Sequence, residues 1–548
     1  MSGNVGLQIA DYVVIAVMLF IPLAVGVFFA IKDAKKTNRD EYLFGGRKMS
    51  MLPVALSIFA TFMSAISMMG IPTEVYYYGA MHTTFQIGFA LSFLIGYVTM
   101  IPLIYPLHLT SIYQYLRLRF QSELVRNSVL TLAMIQTFFY MAIALLTPAL
   151  ALQAAAGIPF YVSVLIVGSI GTIYTAIGGI KSVVWTDAFQ CCIMITGLMV
   201  MIGKGFSLVG GADKVWSKAE AGGRTNFLQF SPDPRSRSTW WSTLIGGCFM
   251  WYLHLFQAGL ISNKNQLPPY FVLHVLQDLP GMSGLYMSSI FSGALSTLSS
   301  GMNALAANTV EDILQRPLRN FTEQRSTLMT KLLVLVYGVL IIVVAYLART
   351  MTGSVAQMTL SVFGACGGPI LGVFLLGACF PSGNKYGALV GGALALTLTM
   401  WMSVGNQLYG KAPPTLPSPS TDMCFTNESD PFLSEWTTNN STWHTNASSM
   451  NTKVISNQTD VGYSLFLYNI TYEWYGCIGT VVSLVVGLLI SLCTCKWQQP
   501  THNARLIFPF LAKVWSLPKV DRETNGKALE KLLDYETQIQ AQNNSQMF

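Results

Sequence analysis

The sequence predicts an all-α polytopic membrane protein, and three observations lead to that fold class. The 548 residues are 52% hydrophobic and only 10% charged, with a mean hydropathy of +0.48. A soluble chain has roughly 25% charged residues, so this chain has too few to cover a water-facing surface. The apolar residues are grouped in long runs, and 46 glycines allow helices to pack closely in a bilayer. The lipid bilayer is therefore an expected partner.

The distribution of charge and of cysteine excludes several other classes. The net charge is +7, but the Lys and Arg residues lie in short loops beside apolar runs, as topology signals do, so no nucleic-acid partner is expected. The nine cysteines lack metal-ligand spacing, and no zinc or other cofactor is expected. The sequence also lacks a nucleophile–base constellation, a phosphate-binding glycine loop and a repeated pore motif, which argues against an enzyme or a channel.

Twelve stretches are long enough to cross about 30 Å of hydrocarbon. They are 10–31, 51–71, 83–108, 128–152, 158–180, 183–207, 239–260, 282–308, 328–348, 357–380, 386–404 and 474–495. Residues 1–10 contain no Lys or Arg, and basic residues follow the first stretch, so we expect an extracellular N-terminus and no cleavable signal. Residues 1–495 then form the membrane domain, and the polar segment 496–548 is expected to be a cytoplasmic tail.

A polar insert at 405–473 separates the last two spans and is rich in glycosylation acceptors. Its six N-x-S/T sites are Asn427, Asn439, Asn440, Asn446, Asn457 and Asn469. One such site is a weak signal, but six in one loop predict an extracellular, glycosylated loop.

The number of spans conflicts with that placement. With residue 1 outside, eleven crossings precede residue 405, and an odd number would leave the acceptor sites in the cytosol. The basic loop after span eight also falls on the wrong side, so the fault lies between 183 and 309. Either 183–207 fails to span, or a crossing is missing near Phe256 to Leu260. The second explanation is preferred because of the resemblance that follows.

Five motifs resemble the sodium/solute symporter family. They are EYLFGGRKMSMLPVALSIFATFMSAISMMGIPTEVYYYG (41–79), GGIKSVVWTDAFQ (178–190), SPDPRSRSTWW (231–241), DLPGMSGL (278–285) and FSGALSTLSSGMNALAANTVEDIL (291–314). The resemblance covers roughly residues 8–495 and is strongest to the branch of the monocarboxylate, multivitamin and iodide transporters. It implies a LeuT-like fold of two inverted five-helix repeats with a plasma-membrane location and a cytoplasmic C-terminus. Such relatives have one more span, between the equivalents of Phe256 and Gln257, and the resemblance implies that this chain lacks it.

The resemblance also implies a sodium site that couples transport to the ion. Span two has Pro53 near its start and Gly70 at its end, a pattern that favours a broken helix with free backbone carbonyls. The residues that match the family's sodium site are Ala60, Met63, Gly293, Ser296 and Thr297. Neutral carbonyls and hydroxyls suit sodium, because they replace its hydration without burying another carboxylate. Without the resemblance, the same small residues would be interpreted as packing residues.

Three further residues are candidates for substrate binding and gating. Ser67 occupies the position at which iodide-transporting relatives have Gln, so iodide is the less favoured solute. Tyr140 matches a cavity-lining Tyr of relatives, and the alternative is that it is a structural tyrosine. Asp187 lies four residues into span six, so it either tunes cation exit or anchors that helix at the cytosolic interface.

The favoured hypothesis is a sodium-coupled symporter of a small organic anion, either a monocarboxylate or a carboxylate-bearing vitamin. The alternatives are a sodium/iodide-type anion symporter and a non-transporting isoform that lacks a helix.

Overall fold

The computed structural model describes an all-helical architecture. It covers residues 7–33, 42–43, 49–107, 109, 111–227, 229–246, 248, 272, 275–276, 278–314, 321–348, 355–410, 416, 465–495 and 504–516. Within these ranges every regular element is a helix. The α-helices are α1 (Ile9–Asp33), α2 (Met51–Phe62), α3 (Ala65–Tyr78), α4 (Phe85–Ile104), α5 (Tyr113–Phe120), α6 (Glu123–Ala156), α7 (Phe160–Val209), α8 (Ala212–Ala221), α9 (Met282–Asn308), α10 (Glu323–Ala348), α11 (Val355–Val362), α12 (Gly368–Cys379), α13 (Lys385–Tyr409), α14 (Tyr475–Cys493) and α15 (Pro509–Val514).

The helices coincide with the predicted spans to within a few residues at most ends. Among the described residues, eight helices are long and apolar enough to cross a membrane, and the bent pair α2 and α3 makes a ninth. Segment 239–260 is helical at 240–246, and most of the rest, including the predicted deletion point at Phe256, lies outside the described residues. The predicted spans at 158–180 and 183–207 form the single helix α7, which has one break.

That break lies at Gly179, and its local sequence explains it. Gly179 has φ 63° and ψ −168°, a conformation that only glycine adopts readily. A Cβ atom at this position would lie 2.6 Å from the ring of Tyr42. The Tyr42 hydroxyl donates to the carbonyl oxygens of Ala176 at 3.0 Å and Thr175 at 3.3 Å. Residues 180–209 continue beyond the break for about 45 Å, which is long enough to span and argues against a failed sixth span.

The centre of the bundle is α9, which packs against α1, α2, α3, α6 and α7. Small residues bring these helices together, as is usual where lipid supplies no hydrophobic drive between helices. At Gly284 a Cβ atom would lie 2.5 Å from the backbone of Asp11 in α1. The Gly284 N–H also donates to Asp11 Oδ1 at 2.8 Å, which fixes the first helix on α9.

Part of the polar tail packs against the membrane domain. Residues 504–516 cover the end of the bundle where α5 meets the last residues of α12, and Phe508 is 2% exposed there. The Phe508 N–H donates to Ala378 O at 2.9 Å, and the Tyr115 hydroxyl donates to Leu506 O at 2.8 Å. At the same end the buried Arg119 donates to several carbonyls after α12, the nearest being Phe380 O at 2.6 Å. The tail therefore begins with a docked segment, which its polar composition did not predict.

Candidate cation site and solute cavity

The predicted break in span two lies at Met63 and Ser64, between α2 and α3, with a bend of 44°. The hydrogen-bond ladder of α2 ends where Met63 N–H donates to Phe59 O at 2.8 Å, and it resumes where Ser67 N–H donates to Ser64 O at 3.0 Å. The last carbonyls of a helix have no intrahelical donor. By this rule the carbonyl oxygens of Ala60 and Met63, at the end of α2, are expected to lack a helical donor.

Helix α9 meets this break at the residues that the sequence singled out. A Cβ atom at Gly293 would lie 2.5 Å from Ala65 N, so the two backbones approach as closely as glycine permits. The Thr297 hydroxyl lies 2.8 Å from Gly293 O and 3.4 Å from Thr61 O. The Ser296 hydroxyl lies 3.4 Å from the Thr61 hydroxyl. The structure thus brings the two halves of the predicted sodium site together in space.

The oxygens at this junction fit an alkali cation. Ser296 and Thr297 are fully buried, and so are Ser64 and Tyr140. The hydroxyls of Ser64 and Tyr140 have no hydrogen-bond partner among the described residues, although Tyr140 faces both Ser64 and Thr297. A buried hydroxyl without a partner is costly, and a bound cation would satisfy it. The site offers neutral oxygen donors, the kind that sodium prefers.

Asp187 lies in the interior of the helix bundle. Its side chain is fully buried, and its Oδ2 accepts hydrogen bonds from Ser57 at 2.6 Å and Ser300 at 3.4 Å. Its Oδ1 has no hydrogen-bond partner among the described residues. Ser300 in turn lies 3.2 Å from the Thr61 hydroxyl. The carboxylate is therefore connected by hydroxyls to the candidate cation site.

Sequence reasoning missed Ser57 and Ser300. A signal for both was present, because Ser57 precedes Thr61 by four residues and Ser300 follows Ser296 by four. Residues four apart lie on one face of a helix, so each extends its hydroxyl stripe by one turn.

A cavity of about 320 Å³ opens beside the break. Ser67 and Met63 both line it. Its other polar side chains, His82 and Gln86, were missed by the sequence analysis, and most of the remaining lining is apolar. Tyr140 is not among the described lining residues, so the structure places it with the cation site and not with the cavity.

The DPRSR motif packs at the end of the bundle where the chain leaves α13. Arg237 donates to both carboxylate oxygens of Glu74 at 2.8 Å, and both side chains are buried. The guanidinium also lies 3.9 Å from the ring centroid of Tyr78 and 5.0 Å from that of Tyr472. Burial alone would lower the pKa of Arg237, but Tyr472 and Glu74 raise it above its ordinary value, so the guanidinium stays charged.

Most predicted glycosylation sites lie outside the described residues, namely Asn427, Asn439, Asn440, Asn446 and Asn457. Asn469 is described and half-buried, in the 3₁₀ turn Phe466–Asn469 that packs against α13.

Comparison with known proteins gives consistent matches. The model of the "Sodium:solute symporter family" matches residues 42–238 and 256–395. Sodium-coupled monocarboxylate transporter 1 of Xenopus laevis is 34% identical, over 92% of this chain and 89% of that protein. Sodium-coupled monocarboxylate transporter 2 of Homo sapiens is 34% identical, over 91% and 86%. The sodium-dependent multivitamin transporter of Oryctolagus cuniculus is 33% identical, over 93% and 86%.

A solved structure of a Na+-coupled sialic acid symporter has the same fold, with a TM-score of 0.64 at 20% identity, over 89% of this chain and 98% of that one. This likeness confirms the predicted LeuT-like fold. The alignment with the Xenopus protein extends over 562 positions, more than the 548 residues of this chain, so that relative has residues that this chain lacks. The family match is interrupted between 238 and 256, next to the predicted deletion point.

Proposed function

Because the chain belongs to the sodium:solute symporter family, we propose that it carries small monocarboxylates across the plasma membrane together with sodium. The observation that carries this proposal is the meeting of the α2–α3 break with Gly293, Ser296 and Thr297 of α9. We further propose an extracellular N-terminus, an extracellular loop at 405–473 and a cytoplasmic C-terminus. The predicted sodium ligands are Ala60, Met63, Gly293, Ser296 and Thr297.

The geometry supports coupling because the site is shared between two elements. Carbonyls at the end of α2 and hydroxyls on α9 can bind one cation together only while the two helices stay in contact. A ligand shifts a conformational equilibrium only by its differential affinity for the two states. Sodium therefore favours the state in which the break is closed on α9. That state also shapes the cavity, since Met63 belongs to both.

The driving force of one sodium ion is sufficient for accumulation. At a membrane potential of about −60 mV, entry of one ion releases roughly 1.4 kcal/mol. A tenfold sodium gradient adds about 1.4 kcal/mol. Entry of the monocarboxylate anion costs the same electrical energy that one sodium ion releases, so a first coupled ion supports roughly a tenfold solute gradient and each further ion multiplies it roughly a hundredfold.

The volume of the cavity favours a small organic anion over a large one. Ligand sites commonly have volumes of about 300–1,000 Å³, and this one, at about 320 Å³, is near the lower limit. Its lining suits a short apolar body, and Ser67 and Gln86 supply polar contacts for one charged end. This arrangement favours a short monocarboxylate over a bulky vitamin.

We assign Asp187 to cation exit. Its carboxylate is linked to the Thr61 hydroxyl through Ser300, and it also accepts from Ser57 on α2. A negative charge one step from a neutral site attracts the ion when the site opens, and its hydroxyl partners provide the intermediate contacts.

Sodium-dependent uptake of a labelled short monocarboxylate into cells or proteoliposomes tests the proposal. Uptake by the wild-type chain is expected to require sodium, and Ser296→Ala combined with Thr297→Ala is expected to abolish it. Gly203→Ala is the matched control, since a Cβ atom there meets nothing within 4 Å. Uptake of equal rate in sodium and in choline would refute the proposal.

Glycan mapping tests the orientation separately. Occupancy at the sites from Asn427 to Asn469 on surface-expressed chain is expected. Unmodified sites on a chain that reaches the cell surface would contradict an extracellular loop.

A further inference from the structure

The docked tail segment 504–516 has two apolar faces, and the bundle accounts for only one of them. Residues 506–508 and Ala512 are buried against the membrane domain. Phe510, Val514 and Trp515 are 48%, 71% and 48% exposed. Phe510 and Val514 are four residues apart on α15, so they share one face of the helix. An exposed patch of large apolar side chains indicates a surface that binds a partner or a membrane.

This patch continues the lipid-facing surface of α4. Helix α15 packs against α4, and Leu107, at the end of that span, belongs to the same buried cluster as the tail. Tyr105 beside it is 74% exposed, at the end of a segment, Ala80–Leu107, that is long and apolar enough to cross a membrane. The Trp515 indole N–H donates to Cys379 O at 3.0 Å, which fixes the exposed ring. Because Tyr and Trp concentrate where a membrane meets water, the segment lies at the level of the lipid headgroups.

The charge of this region is opposite to that of an anionic membrane surface. Residues 496–520 contain no acidic residue and four basic ones, namely Lys496, Arg505, Lys513 and Lys519. Lys513 is exposed and has no ion pair among the residues that the structure describes. At the same end of the bundle, Glu123 is already paired with Arg117 at 2.9 Å and with Arg126 at 3.0 Å. Basic residues beside a span attract anionic lipid, with a gain of about fivefold in binding for each of them.

We propose that segment 504–516 is a binding surface for anionic phospholipid. Phe510, Val514 and Trp515 enter the upper part of the acyl-chain region, and the Lys513 ammonium binds the charged headgroups. A helix that lies in the interface gains both from buried apolar area and from attraction to anionic lipid. Lipid is the occupant because the patch continues the lipid-facing surface of α4 and carries the opposite charge. This role goes beyond the proposed transport function and does not depend on which solute is carried.

Lipid bound to this segment stabilises the contacts that the segment makes with three helices. The Phe508 N–H donates to Ala378 O of α12, and the Tyr115 hydroxyl of α5 donates to Leu506 O. Helix α4, the third, also supplies Phe89 to the wall of the solute cavity. A ligand that binds only the docked form shifts the equilibrium toward that form. Anionic lipid therefore holds the ends of these three helices together.

Hydrogen exchange of the full-length chain in nanodiscs measures the docked form directly. Peptides that cover 504–516 are expected to exchange about fivefold more slowly in phosphatidylcholine mixed with phosphatidylserine than in phosphatidylcholine alone. In Lys513→Gln the two rates are expected to be equal. Lys218→Gln is the matched control, because it removes the same charge from an exposed position on α8, and the loop after α8 bonds Ala80 at the opposite end of α4. Soluble glycerophosphoserine is expected to leave exchange unchanged, and an effect equal to that of the bilayer would overturn the proposal in favour of a site for a free anion.

Fluorescence quenching tests whether the apolar patch enters the bilayer. The difference in emission between the wild-type chain and Trp515→Phe isolates Trp515 among the eleven tryptophans of the chain. Lipids brominated near the headgroup end of the acyl chains are expected to quench this difference signal. An unquenched Trp515 would overturn the proposal, since water, a protein partner or a second copy would then cover the patch. Equal exchange of wild-type 504–516 in the two lipid compositions would overturn it as well. Neither measurement requires transport, so this proposal can fail while the proposed function stands.

Discussion

Substitution of Gly293 by alanine tests the contact on which the proposed sodium binding depends. The new Cβ atom would lie 2.5 Å from Ala65 N and 2.9 Å from Ser64 C, whereas ordinary contacts begin at 3.4 Å. The obstacle is backbone, so α9 and the break must move apart by up to about 0.9 Å. Overpacking of this kind costs about 1–3 kcal/mol in a well-packed core.

The separation weakens sodium binding more than it weakens the fold. The cation requires the α2 carbonyls and the α9 hydroxyls at once, and a shift of that size removes one of its oxygen ligands. The loss of one charged contact is worth about 1.5–3 kcal/mol, so we expect the half-saturating sodium concentration to rise roughly tenfold to a hundredfold.

The assay is the sodium dependence of monocarboxylate uptake, normalised to the amount of chain at the surface. Gly203→Ala supplies the comparison, because its Cβ atom has free space and alanine is the better helix former. An unchanged half-saturating concentration in Gly293→Ala would refute the reasoning, since the ion would then not depend on this contact.

Three further variants test other contacts in the structure. Asp187→Asn is expected to slow net transport at least tenfold, because it removes the negative charge that accepts a hydrogen bond from Ser57 at 2.6 Å. The control is Asp278→Asn, which changes a carboxylate that is 78% exposed and should leave the initial rate of uptake unaltered. Arg237→Ala leaves the buried Glu74 without its partner and should lower the free energy of unfolding by about 3–5 kcal/mol. The assay is thermal aggregation in detergent. An equal loss of stability in Arg235→Ala, whose side chain is 53% exposed, would contradict a special role for the buried ion pair. Phe508→Ala removes a buried side chain from the docked tail segment and should lower the free energy of unfolding by about 3–5 kcal/mol. An unchanged melting temperature and an unchanged rate of proteolysis would show that the segment does not stabilise the fold.

The sequence predicted the helical segments well because each must satisfy two strong conditions. A span needs about twenty apolar residues, and its backbone must be hydrogen-bonded within the helix. Helix α9 shows this, since its predicted bounds and its observed bounds, Met282–Asn308, are the same. The break at Met63 and Ser64 was also predictable, because span two is interrupted by small and hydroxyl residues.

Distances along the chain could not predict which side chains meet across helices. Asp187 lies close to the predicted end of a span by residue number, yet the break at Gly179 carries it into the interior beside Ser57 and Ser300. His82 lies at a span edge in the sequence and was interpreted as isolated. In the fold it lies between the cavity and Glu473, which is far away in the chain.

The sequence by itself determined that this protein lies in lipid as a helical bundle, and its motifs determined the family and the residues proposed for the cation site. Those features follow from composition and from residue types along single helices. The tertiary structure decided how α9 closes on the break, where Asp187 points, where His82 lies, and that residues 504–516 dock on the bundle. The reason is physical: hydrogen bonds and packing between helices depend on crossing geometry, and a single glycine such as Gly179 redirects every residue that follows it.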